Sequence, residues 1–334
     1  MLRRSLHFIR SLGIFALIAV ATLAITSVAS HATSLHIGPI ASSTVISNAD
    51  AAIAGKELTA GKAVVLGLVE GITEYLPVSS TGHLLITERL LHIGDKAATK
   101  DAADTYTVVI QAGAILAVLV LFWKRILDVL KGVVGKSQEG RNLLIVLVLS
   151  FIPAAILGLA GEHKIKSHLL KPIPVSISWI LGALAILFVG SRLHQQGKTI
   201  GRAITEITYR DAVIIGCAQA LALWPGTSRS LVTILAALAL GISLQSAVEY
   251  SFLLGILALG AATAKDLLSN GTQLTDVYGT TNPMIGFVVA FIAALIAVRW
   301  LLSYLQRHDL KVFAWYRLAA ATATIALVAS NTIK

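Results

Sequence analysis

The chain of 334 residues is 56% hydrophobic and 13% charged, with a mean hydropathy of +0.81; soluble domains carry about a quarter charged residues, so a soluble globular protein is excluded. Its net charge of +10 would suggest nucleic acid in a soluble protein, but the basic residues lie in short loops between apolar runs, where they set membrane orientation. Cys217 is the only cysteine, which excludes an internal disulfide and a cysteine metal site.

Residues 1–35 place Arg3, Arg4 and Arg10 ahead of an apolar stretch from Leu12 to Ile25 and a small-residue run. These are the parts of a signal peptide or of an uncleaved anchor helix. Residues 33–60, rich in Ser, Thr and Ala with Gly38-Pro39, read as a linker. The chain therefore divides into 1–60 and a membrane domain, 61–334.

From Gly61 on, apolar runs alternate with short polar loops, each judged against the roughly 20 residues a helix needs to cross a bilayer. Full spans are expected at 106–123, 142–161, 174–192, 247–264, 284–301 and 314–331. Segments 61–76 and 78–91, split at Pro77, are too short to cross, and 211–223 and 228–241 repeat that form around Pro225-Gly226. Broken apolar pieces of this kind mark re-entrant helix hairpins.

Lysines and arginines put loops 124–141, 192–210 and 299–317 (with Arg299, Arg307, Lys311 and Arg317) on the cytoplasmic side. The acidic loops 87–105 and 265–283 fall outside; loop 162–173, with Lys164, Lys166 and Lys171, runs against the scheme. The expected fold is an all-α integral membrane protein with six transmembrane helices and two re-entrant hairpins. Its halves, about 61–192 and 211–331, form an inverted-topology repeat behind the extra N-terminal helix. Pro77-Val78-Ser79-Ser80-Thr81 is echoed 148 residues later by Pro225-Gly226-Thr227-Ser228-Arg229. Such repeats place the working site near the midplane, where the hairpins meet.

Ionisable side chains at membrane depth cost about 2.5–3.5 kcal/mol each on insertion scales, so their presence points to function. Glu70 and Glu74, at i and i+4, share one helix face. They suit a hard divalent cation, Mg²⁺ or Ca²⁺, or one of them serves as a proton donor or acceptor; the plain alternative is a pair facing water. Ser79, Ser80 and Thr81 follow Pro77 at a helix N-terminus, a natural anion site as well as an ordinary cap. His83 lies close enough to the serines for proton transfer, against the alternative of a packed core histidine. Arg229, flanked by Thr227, Ser228 and Ser230, can grip a phosphate with its fork or pair internally with Glu70 or Glu74. His92, His163, His168, His194 and His308 make no metal spacing. Together these groups suit phosphoryl transfer on a phosphorylated amphiphile.

The run Glu70-Gly71-Ile72-Thr73-Glu74-Tyr75-Leu76-Pro77-Val78-Ser79-Ser80-Thr81-Gly82-His83, with Pro225-Gly226-Thr227-Ser228-Arg229-Ser230 downstream, resembles the undecaprenyl pyrophosphate phosphatases, the bacitracin-resistance proteins of bacteria. Val109-Ile110-Gln111, Ala222-Leu223-Trp224-Pro225 and Tyr250-Ser251-Phe252-Leu253-Leu254 extend the likeness from about Gly61 to the last helix. The resemblance implies a multi-pass enzyme of the bacterial inner membrane, working on the periplasmic side. It would remove the terminal phosphate of undecaprenyl diphosphate, recycle the lipid carrier for peptidoglycan synthesis and confer bacitracin resistance. A divalent cation and a homodimer are implied too. On matching positions, Ser80 looks like the nucleophile, Glu70 and Glu74 the metal-linked or base carboxylates, His83 a proton carrier and Arg229 the phosphate clamp, with Ser79, Thr81, Thr227, Ser228 and Ser230 at the substrate. Leu231 stands where the family usually has Gly, and Leu257 where it usually has Pro, so turnover is in question. A flippase of polyprenyl phosphates is the competing class, disfavoured by a nucleophile that translocation does not need. The other membrane lipid phosphatases need a His where this chain has Leu235.

Overall fold

A computed structural model describes residues 57–193 and 201–333, with the side chains of 161–167 and 190–193 excepted. The expected signal or anchor segment, most of the linker, and the side chains of Lys164, Lys166 and Arg192 lie outside the described residues. Every regular element among the described residues is a helix: α1 (Ala60–Thr73), α2 (Ser80–Leu91), α3 (Ala97–Leu121), α4 (Trp123–Val133), α5 (Gln138–Leu169), α6 (Pro172–Leu193), α7 (Tyr209–Ala220), α8 (Arg229–Ala239), α9 (Leu244–Tyr278), α10 (Thr281–Leu305) and α11 (Lys311–Ala329).

Six of these, α3, α5, α6, α9, α10 and α11, are long and apolar enough to cross a membrane. They coincide with the six expected spans, so the protein is a multi-pass membrane protein. Helix extends well into segments expected as loops. The basic stretch after α3 folds as α4, whose Ile126 and Val129 pack on the core while Lys124 stays exposed and Arg125 donates to the Glu249 carboxylate of α9 at 2.7 Å. At 35 residues α9 runs to Tyr278, about 52 Å at 1.5 Å per residue, far beyond a 30 Å hydrocarbon core. The expected loop 299–317 is reduced to 306–310. Arg317, read from the sequence as a cytoplasmic loop charge, is instead fully buried on α11. The charge count cannot see that a helix starting at Lys311 carries this residue inward.

Thr59 caps α1 by accepting from the Lys62 N–H at 3.4 Å. Thr208 caps α7 in a reciprocal box: the Asp211 N–H donates to its hydroxyl at 3.2 Å, and its own N–H donates to the Asp211 carboxylate at 2.9 Å. α1 packs on α10 through Gly67 and Gly71; a Cβ at Gly71 would lie 2.7 Å from Ala293 Cβ and 2.9 Å from Ala294 N. α7 packs on α5 in the same manner, where a Cβ at Gly216 would lie 2.8 Å from Ser150 Cα. Small residues permit this approach, which is how helices gain contact where no hydrophobic effect drives them together.

Asp211 also accepts from Arg202 at 2.7 Å. That hydrogen bond, seconded against burial by the two from Thr208, holds its carboxyl down from 3.8 to about 2. A depressed carboxyl stabilises the fold above its unfolded pKa and loses that contribution as pH falls from about 4 toward 2. Asp211→Asn is therefore expected to lower the midpoint of thermal unfolding at pH 7 by about 2–4 °C. The gap from wild type should close as the pH approaches 2; a gap constant with pH would remove Arg202–Asp211 as its cause.

Candidate active site

Two turns face each other at the centre of the bundle, 74–79 between α1 and α2 and 221–228 between α7 and α8. Each ends on a serine with left-handed backbone, Ser79 at φ 74° and Ser228 at φ 72°. A non-glycine residue there costs on the order of 1–3 kcal/mol and persists only where the surroundings hold it. The Ser79 carbonyl is held by His83, whose Nδ1 lies 2.7 Å away. The Ser228 hydroxyl accepts from the Leu231 N–H at 3.3 Å and lies 3.0 Å from the Ser230 hydroxyl. Ser79 gives no side-chain cap to α2, so the first-turn N–H groups of that helix stay available to an anion.

The turns touch directly, the Ser230 hydroxyl donating to the Leu76 carbonyl at 3.1 Å. Across that contact Glu74 is shared. One carboxylate oxygen accepts a hydrogen bond from the Ser80 hydroxyl; the other lies 3.5 Å from Arg229 Nη2. The Arg229 guanidinium also donates to the Ser251 carbonyl at 2.9 Å and sits 5.7 Å above the Tyr75 ring. Its Nε has no partner. The charged pair is nearly dry, with side-chain exposures of 9% and 6%, so little solvent screens it.

Glu70, one turn earlier on α1, is 1% exposed, and neither carboxylate oxygen has a partner. A dry, unpaired carboxylate is too costly to stand alone and calls for a cation or a proton. The pair Glu70 and Glu74 therefore fits a hard divalent cation, although no cluster of three or more metal-binding side chains occurs among the described residues. Such an ion typically keeps several of its own waters and needs only one or two carboxylates.

His83 sits where the sequence puts it, but both ring nitrogens are engaged away from Ser80. Nδ1 faces the Ser79 carbonyl, which only accepts, so it bears the proton. Nε2 then accepts from the Tyr316 hydroxyl at 2.8 Å. Thr81 is exposed on the first turn of α2 and Thr227 is half-buried. Leu231 is buried in the main core and Leu257 packs against it.

Four contributors escaped the sequence reading. Tyr316 and Arg317 hold the turns, Ser251 accepts from Arg229, and Gly255 leaves room for the guanidinium. A Cβ at Gly255 would lie 2.5 Å from Arg229 Nη1 and 2.6 Å from Cζ. Gly255→Ala is expected to lower kcat/KM by about 10–100-fold, since a displacement near 1 Å at a reacting centre costs that much. Steady-state kinetics beside an unchanged unfolding midpoint checks this; wild-type kinetics would mean that Arg229 needs no fixed seat. Of the four, Arg317 carried a signal, being a lone charge inside an apolar run.

The profile of the family described as "Bacitracin resistance protein BacA" matches residues 63–323. The chain is 44% identical over 273 residues to undecaprenyl-diphosphatase 2 of Rhodospirillum rubrum, covering 81% of this chain and 96% of that protein. It is 43% identical over 257 residues to undecaprenyl-diphosphatase 1 of Chromobacterium violaceum, covering 77% and 92%. With the undecaprenyl-diphosphatase of Dechloromonas aromatica it shares 42% over 265 residues, 79% and 93% of the two chains.

Proposed function

The chain belongs to the bacitracin resistance protein BacA family, and on that premise we propose that it is an undecaprenyl-diphosphatase, releasing inorganic phosphate from undecaprenyl diphosphate. What carries this reading at the level of atoms is the Glu74 carboxylate, with the Ser80 hydroxyl on one oxygen and the Arg229 guanidinium on the other.

The terminal phosphate of the substrate displaces Glu74 from Arg229, and the planar guanidinium takes two of its oxygens. Free N–H groups at the start of α2 share the charge. Glu74, released from the Arg229 guanidinium, takes the Ser80 proton. Ser80 Oγ then attacks phosphorus; the Oγ–P bond forms as the bridging O–P bond breaks, and undecaprenyl phosphate leaves with the bond pair. Water, deprotonated by a carboxylate, attacks the seryl phosphate, and inorganic phosphate leaves as Ser80 regains a proton. Glu70 and Glu74 would hold a divalent cation, whose chemistry is neutralisation of the diphosphate charge. His83 keeps the Ser79–Ser80 peptide in place.

The same reading takes α1/α2 and α7/α8 as re-entrant hairpins heading two inverted halves, about 61–192 and 211–331. At 14 and 12 residues, α1 and α7 reach about 21 and 18 Å, short of the 30 Å core. Further support lies in the register. The caps Thr59 and Thr208, the contact glycines Gly67 and Gly216, the buried Glu70 and Gln219, and the left-handed Ser79 and Ser228 all recur at one spacing. That spacing is one residue longer than the Pro77/Pro225 echo, and at that spacing Ser80 aligns with Arg229. Packing is exchanged accordingly: α1 lies on α10 of the second half, α7 on α5 of the first. Lys124, Arg125, Lys131, Lys136 and Arg141 past α3, against Asp95, Asp101 and Asp104 before and within its start, favour a first hairpin open to the periplasmic face of the bacterial inner membrane. For the homodimer the support is the family resemblance, tested by the mass of the detergent-solubilised particle.

Purified full-length protein given undecaprenyl diphosphate and Mg²⁺ is expected to release phosphate. Chelation should stop the reaction, and Mg²⁺ or Ca²⁺ should restore it. No release, with lipid translocation in liposomes instead, would overturn the reading in favour of a flippase; release that survives chelation would overturn the cation assignment.

A further inference from the structure

Two consecutive side chains of α11, the last helix, reach both catalytic turns, though neither enters the reaction above. Arg317 is 0% exposed. It donates to Pro77 O of the first turn at 3.3 Å and to Gly226 O and Thr227 O of the second at 3.0 and 3.3 Å. It also donates to Trp179 O and Ser178 O of α6 at 3.1 and 3.0 Å. Among the described residues no carboxylate pairs with it, and a Cβ at Gly182 would collide with its guanidinium. A buried cation satisfied by carbonyls alone is an expensive way to fill space. Its planar fork, however, ties two separate turns and α6 to one rigid post through all three of its nitrogens.

Tyr316 completes the arrangement. Its ring stacks on His83 at 5.5 Å and 14°, its hydroxyl fixes Nε2, and His83 Nδ1 grips the Ser79 carbonyl next to Ser80. Trp179 packs against the same imidazole, tilted by 44° with ring centroids 4.8 Å apart.

We propose that α11 is the clamp that registers the two catalytic turns: Arg317 sets the position of Ser80 relative to Arg229, and Tyr316 acts through His83 to hold the Ser79–Ser80 peptide. Both are positioning residues, and the proposal rests on the diphosphatase reading for its kinetic consequences. Because the clamp orders groups that act on the transition state, its loss falls on kcat and spares KM.

Full-length protein in detergent, with undecaprenyl diphosphate and Mg²⁺, tests this. Tyr316→Phe removes a single hydroxyl; kcat is expected to fall about 5–20-fold with KM within about twofold. Added to His83→Gln, the same change should cost nothing further, because its route is already cut. Arg317→Lys keeps the charge but cannot span both turns, and kcat is expected to fall about 100-fold. Hydrogen exchange followed by mass spectrometry reads the clamp independently of activity. Arg317→Lys should speed exchange about tenfold in peptides over both turns, Tyr316→Phe in the first turn alone. Wild-type kcat and wild-type exchange in these variants would overturn the clamp, as would fully multiplicative losses for Tyr316→Phe and His83→Gln. A wild-type protein that releases no phosphate, with the exchange pattern as expected, would overturn the diphosphatase reading and leave the clamp standing.

Discussion

Ser80→Ala is expected to lower kcat for phosphate release by about 10³-fold or more, as removal of an attacking oxygen does elsewhere, while the protein stays folded. The hydroxyl makes one hydrogen bond, to Glu74, and losing it costs about 1–3 kcal/mol in a chain with a large buried core. Glu74 keeps Arg229 as its partner, so no charge is stranded. Glu74→Gln makes the complementary case: the serine stays but loses its base, and the amide cannot balance Arg229. Both variants are expected to be near-silent with KM little changed. Phosphate release, together with a search for phosphate covalently held at Ser80 in wild type, decides the matter. Ser80→Ala turning over within tenfold of wild type would assign the attack to water and reduce Ser80 to a substrate ligand.

Arg229 carries the second large effect, and here charge and shape separate. Arg229→Ala is expected to lower kcat/KM by about 10²–10³-fold through loss of charge stabilisation on the transferring phosphate. It also leaves Glu74 dry and unpaired. Breaking a buried pair costs about 3–5 kcal/mol, and the low end applies because the two groups are 3.5 Å apart. Arg229→Lys keeps the cation and most of the stability but loses the fork, so no pair of parallel N–H groups faces the phosphate while the Ser251 carbonyl is held. A thermal shift confined to Arg229→Ala, with both variants kinetically poor, is the expected pattern. Wild-type kinetics in Arg229→Lys would mean that a point charge suffices and the bidentate grip is unused.

At Leu231, where the sequence resemblance led us to expect Gly, burial in the main core puts the side chain's bulk into packing. That side chain follows the guanidinium by two residues on α8 but is drawn to Leu235 and the apolar interior.

Composition and spacing alone determined that the chain lives in a membrane, that its described residues hold six helices long and apolar enough to cross it, and that two further apolar segments are broken short. Those properties follow from local rules: a helix in hydrocarbon must be about 20 apolar residues long, and Pro, Gly and clustered hydroxyls mark where it cannot continue. The motif likewise exposed Glu70, Glu74, Ser80, His83 and Arg229, because ionisable groups stand out against an apolar background. Only tertiary structure decided their partners. Glu74 faces both Ser80 and Arg229 because two turns lying far apart in sequence meet tip to tip, His83 turns toward Ser79 and Tyr316, and Arg317 passes from an apparent surface charge to a buried clamp. Hydrogen-bond pairing is a property of three-dimensional proximity over 2.5–3.5 Å, and no periodicity along the chain encodes which of several polar groups will be the one within that reach.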